Sequence, residues 1–176
     1  MASTTASATT ESSFATGVLF VHSCPKALVP HVEWALAREI GRVVKLDWSP
    51  QPLLPHTMRT VADWRGLAGT ATAVASSLFG WQQLRFEITE DQSAAGSGGR
   101  WMHTPALGVH FAQTDSAGNA VVGEDRIRYA MEVAGHDPLE LHRELRLALG
   151  QAWDDELEPF RHASDFAPVV WLHQVG

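Results

Sequence analysis

The residues with the plainest chemical capacity stand together early in the chain, His22-Ser23-Cys24-Pro25. A cysteine beside a histidine can become a thiolate nucleophile when the imidazole takes its proton and a third group holds the ring. No carboxylate neighbours His22 in the sequence to hold it. Cys24 is therefore expected to be a small, buried, inert residue. The alternative is a small cofactor-independent enzyme with its site near His22 and Cys24. Nine histidines raise the question of a metal, but none has the HExxH spacing, and His103 and His110 lack flanking carboxylates. The acids of Trp153-Asp-Asp-Glu-Leu-Glu158 could serve acid–base work or a divalent ion; a solvated helix end is the simpler account. The glycines within 96–99 are not followed by Lys-Ser or Lys-Thr, so no phosphate loop is present. On this reading there is no catalytic residue, no metal and no cofactor.

Binding groups are easier to place. Arg59 and Arg85 could clasp a carboxylate or phosphate, or simply pair across strands with Asp63 and Glu87. The segment 49–57 holds three prolines and offers Leu53, Leu54 and His56. Proline stiffens a loop before anything binds, so less entropy is lost on association. Trp48 and Trp64 bracket this loop and would add two large rings to a pocket wall or partner patch. The expected occupant is a protein partner or a small acidic ligand, and a homo-oligomer is open.

These groups need a frame. Residues 17–90 read as strand (18–22), helix (28–40), strand (42–48), strand (58–64), helix (68–79) and strand (83–89). That order predicts a ferredoxin-like β-α-β-β-α-β core, an antiparallel sheet with helices on one face. Val44, Leu46 and Trp48 alternate with Lys45 and Asp47; Leu84, Phe86 and Ile88 alternate with Arg85 and Glu87. Apolar residues on one side and charges on the other predict a second face open to water. Pro30 fits the first turn of the first helix, and Gly41 is placed to end it in the left-handed conformation. Residues 1–15, rich in Ser and Thr, read as a disordered tail, and 91–99 as a flexible Gly/Ser linker. Residues 100–176 then form an acidic β-β-β-α-α-β half packed on the first. It has short strands near 100–103, 107–113 and 120–122, a helix from Glu124 to Ala134, and a helix opened by Asp137-Pro138 that carries Trp153 and is limited by Pro159. A last strand follows at 169–173. The fold class is α+β.

The net charge of −7 falls entirely in residues 91–176, and neither half has the basic footprint of nucleic-acid binding. No apolar run approaches the roughly 18 residues of a membrane span. One cysteine excludes an internal disulfide and suits a reducing compartment, so the chain is read as cytoplasmic.

Three segments carry a resemblance: Gly17-Val-Leu-Phe-Val-His-Ser-Cys-Pro-Lys-Ala-Leu-Val-Pro30, Val44-Lys-Leu-Asp-Trp-Ser-Pro-Gln-Pro52 and Gly150-Gln-Ala-Trp-Asp-Asp-Glu-Leu-Glu-Pro-Phe160. Through them the chain resembles an actinobacterial family defined by a domain of unknown function, over essentially all of residues 17–176. The resemblance implies an actinobacterial cytoplasmic protein with a weak link to fatty-acid metabolism, and brings no catalytic residues. The function expected is an uncharacterised binding or regulatory module; the alternatives are the enzyme above or a structural subunit of a larger assembly.

Overall fold

The computed structural model describes residues 13–163. The first strand, β1 (Phe14–Pro25), is followed by a short 3-10 turn and by α1 (Val29–Ile40). Pro30 sits in the first turn of α1, where a missing N–H costs nothing, and Gly41 ends the helix at φ 76°. Val32, Ala35 and Leu36 form its buried stripe. Strand β2 is only Ser49–Pro50, β3 runs Thr57–Leu67, α2 runs Thr70–Leu78, and β4 runs Arg85–Glu90. The second half supplies β5 (Gly98–Thr104), β6 (Gly108–Thr114), β7 (Ala120–Val121), α3 (Glu124–Ala134), α4 (Pro138–Ala148) and α5 (Gln151–His162).

The seven strands among the described residues form one antiparallel sheet in the order β2-β3-β1-β4-β5-β6-β7. The two halves thus meet through a direct β4–β5 pairing that joins Phe86 to His103 and Glu90 to Gly99. Residues 91–99, expected as a linker, connect these two strands; Ser93 and Gly96 exchange backbone hydrogen bonds, and Gly98 and Gly99 already belong to β5. Phe14 and Ala15, expected in the tail, belong to β1. The rest of that tail up to residue 12, and the strand expected at 169–173, lie outside the described residues.

The core lies between the sheet and α1 with α2. Leu19 and Val21 of β1, Trp64 of β3 and Phe86 and Ile88 of β4 meet Val32, Leu36, Val74 and Leu78 of the helices. Close approach here demands Gly17, because a Cβ at this position would lie 1.9 Å from the Thr89 carbonyl oxygen and 2.9 Å from the Trp64 ring. Trp64 instead lays its indole across the glycine and donates Nε1–H to Thr89 O at 3.1 Å. The start of α2 is held from a distant strand: Glu90 of β4 accepts the N–H groups of Gly69 and Ala71 at 2.8 and 3.0 Å, satisfying donors that a helix leaves open.

Four expectations need correction. The strand expected at 42–48 does not pair; only Ser49 and Pro50 join β3. The reason is a competing acceptor. Glu33 of α1 takes the Leu46 N–H at 3.1 Å and the Trp48 indole N–H at 3.2 Å, which ties this segment to the helix. The alternation still sorted the side chains, with Leu46 buried and Val44 and Trp48 half-buried. The helix opened by Asp137 is capped as expected, its carboxylate accepting Leu139 N–H, but it is two helices rather than one. Gly150, at φ 76°, turns the chain between α4 and α5. Pro159 does not end α5; it lies inside it, three residues before the last turn closes at His162. Lastly, the second face of the sheet is not simply open to water, because α5 packs across β1 and β5.

Candidate functional site

The charged face of the sheet and α5 border a cleft of about 630 Å³. Alternation along β1 aims Leu19 and Val21 at the core and Phe20 at the cleft. A break in register against both neighbouring strands falls at residues 22–23. Such a bulge re-aims side chains. His22 keeps the cleft side that Phe20 faces, and the bulge turns Cys24, which alternation would have left on that side, into the core.

Glu87 of β4 lies opposite Phe20 and is the hub of the site. It is buried at 5% exposure. Its Oε1 accepts His22 Nε2–H at 2.7 Å and Arg161 Nε–H at 2.7 Å, and its Oε2 accepts Arg100 Nε–H at 2.9 Å. Asp154 of α5 is a second hub, taking Arg100 Nη2 at 2.8 Å and Arg161 Nη2 at 2.7 Å. Arg161 also reaches Glu158 at 3.0 Å. Arg85 pairs with Glu156 at 3.3 Å and lies over the Phe160 ring, 4.6 Å from its centroid. Burial alone would raise the Glu87 carboxyl, but the hydrogen bonds from His22 and Arg161 and the charge of Arg100 outweigh it and hold the group well below the ordinary carboxylate range. Burial likewise works against the Arg161 charge, and the bonds to Glu87, Asp154 and Glu158 reverse that, so Arg161 holds its proton more firmly than a free arginine. Both groups are therefore fixed in their charged forms.

The apolar part of the cleft is made by Phe20, Val61 and Phe160, and Arg59, Asp47 and Ser49 line it as well. Arg59 donates to Ser49 Oγ and to the Ala163 carbonyl at the exit of α5. Among the described residues no group of three or more His, Cys, Asp or Glu is placed to hold a metal ion.

A model of a protein family described as of unknown function, DUF3145, matches residues 18–174, which take in every cleft residue named above. The chain belongs to the DUF3145 family. No curated protein and no solved structure matches it.

Measured against the cleft of this DUF3145 chain, the residues singled out from sequence divide. Arg59 lines it, and so does His22. Arg85 borders it through Phe160 but is paired with Glu156 rather than with Glu87. Trp64 is buried in the core beside Gly17, and half-buried Trp48 is held by Glu33, so the two rings do not frame one wall. Leu53 is half-buried, Leu54 and His56 are exposed, and their loop closes on itself through Gln51 N–H to Thr57 O at 3.0 Å and Thr57 N–H to Leu54 O at 3.3 Å. Cys24 is fully buried, its Sγ–H donates to Pro25 O at 3.3 Å, and burial pushes the thiol up to about 12. The absence of a carboxylate for His22 is overturned: Glu87, 65 residues away, supplies one. Sequence reasoning missed Phe20, Val61, Glu87, Arg100, Phe160 and Arg161 as parts of one site. The single signal for Glu87 was an acid on the charged side of an alternating strand, and nothing local announces Arg161.

Proposed function

We infer that this chain is a non-catalytic binding module whose ligand occupies the cleft between the sheet and α5. The observation that carries this is the composition of the cleft: apolar walls from Phe20, Val61 and Phe160 beside the guanidinium groups of Arg59, Arg100 and Arg161, which outnumber the lining carboxylates of Asp47 and Glu87, in a space of the size that takes a small molecule. Such walls suit a small acidic ligand with an apolar body. An aliphatic carboxylate is the member of that class in keeping with the fatty-acid link the resemblance implies, in an actinobacterial cytoplasm. The fixed charges favour binding over catalysis. Glu87 is held ionised and Arg161 protonated, so neither can trade a proton near neutral pH. Cys24, in the core and protonated, argues against the enzyme reading built on His22 and Cys24.

The first half is read as ferredoxin-like because its strands stand in the order β2-β3-β1-β4, with α1 after β1 and α2 after β3. The second half continues the same sheet and adds α5, so the site belongs to both halves. No helix among the described residues is long and apolar enough to cross a membrane.

Calorimetry and thermal denaturation with aliphatic carboxylates of graded length, with matching alcohols as neutral controls, test the reading. Val61 is 64% exposed, so Val61→Trp fills the cleft without disturbing the core. A melting temperature raised by ligand in the wild type and unmoved in the variant is the expected result. Equal binding by both, or none by the wild type, overturns it.

A further inference from the structure

The two ends of α5 are anchored by different physics. At its N-terminal end Gly150 is in the left-handed region, and a Cβ there would meet the His110 ring at 2.6 Å. Trp153 packs at a tilt against that same ring, 4.8 Å between centroids, and donates Nε1–H to Gly108 O at 2.9 Å. This end is packed on β6 by shape. The remainder is held mainly by charge: Asp154 and Arg161 to Arg100 and Glu87, and Glu156 to Arg85. Leu157 is the one fully buried side chain of the helix. Pro159 removes an N–H from the helical ladder just where the cleft-lining Phe160 and Arg161 begin.

We propose that α5 is a lid on the cleft, hinged at Gly150 and Trp153 and latched by the ion pairs of Asp154 and Arg161. The proposal rests on the cleft being the binding site and names what regulates access to it. Arg100 is 30% exposed, Asp154 28% and Arg161 21%, so the latch is partly wet. Salt therefore weakens it more than it weakens the apolar core. Segments with few buried apolar contacts open locally, below the free energy of global unfolding. Opening is local unfolding of the helix beyond Trp153, while the hinge end keeps its packing on β6.

Hydrogen exchange on the full chain reads this directly. In Asp154→Asn, peptides covering 154–162 should exchange about tenfold faster, with those of β1 and β4 unchanged. The wild type should show the same selective rise between about 0.05 M and about 1 M sodium chloride, which supplies a test should the variant fold poorly. Anilinonaphthalene sulfonate, an apolar anion, should then enter faster in stopped-flow fluorescence, by a similar factor, from the same variant or salt. Unchanged exchange in 154–162 overturns the lid, and so does a rise shared equally by β1 and β4. If exchange rises selectively but Val61→Trp leaves the fluorescence untouched, the lid stands and the cleft-binding reading falls.

Discussion

Glu87→Gln keeps the volume of the side chain and removes its charge. The carboxylate it replaces is buried, bonded to His22, Arg100 and Arg161, and held low in pKa by them. Removing one member of a buried ion pair costs about 3–5 kcal/mol, because the partner is left uncompensated. Here Asp154 still pairs with both arginines, and Arg100 and Arg161 retain some contact with water. The lower end, about 3 kcal/mol, is therefore expected. In a domain of this size that corresponds to a fall of about 6–12 °C in melting temperature. The pH dependence follows from the direction of the shift. A carboxyl depressed on folding stabilises above its unfolded pKa of about 4.3, and that stabilisation is lost as pH falls through the folded value. Urea denaturation at neutral pH should show the full difference between wild type and variant, and the two should converge toward about pH 3 and below. A difference under about 1 kcal/mol at neutral pH would refute the hub role of Glu87. A difference that stays constant down to about pH 2 would show that lost packing, not lost charge, was responsible.

Two further substitutions probe the frame. Gly17→Ala places a methyl against the backbone carbonyl of Thr89, which cannot give way as a flexible side chain would. A loss of about 3 kcal/mol, the upper end for overpacking, is expected by chemical denaturation, and a near-neutral result would show that β1 and β4 are further apart there. Cys24 should resist iodoacetamide in the native protein and react on unfolding, since its thiol is buried and raised to about 12. Native labelling at the rate of a free thiol, followed by mass spectrometry, would contradict its place in the core.

Local order was legible because it rests on local rules. Residue type and spacing placed α1 with Pro30 in its first turn and Gly41 at its end, capped α4 with Asp137, and sorted Leu84, Phe86 and Ile88 from Arg85 and Glu87. Each of those depends on backbone geometry within a few residues, or on the two-residue period of a strand. The failures share a different cause. Segment 42–48 has the period of a strand, but Glu33, thirteen residues before Leu46, takes that residue's backbone N–H. Alternation put Glu87 on the side away from the core, yet it could not say what would cover that side, since periodicity carries no information about a helix that begins more than sixty residues later. Arg161 reaches Glu87 across 74 residues because β4 joins β5 and Gly150 turns α5 back over both. The cleft, the hub and the latch are products of that return, and only the tertiary fold could bring them together.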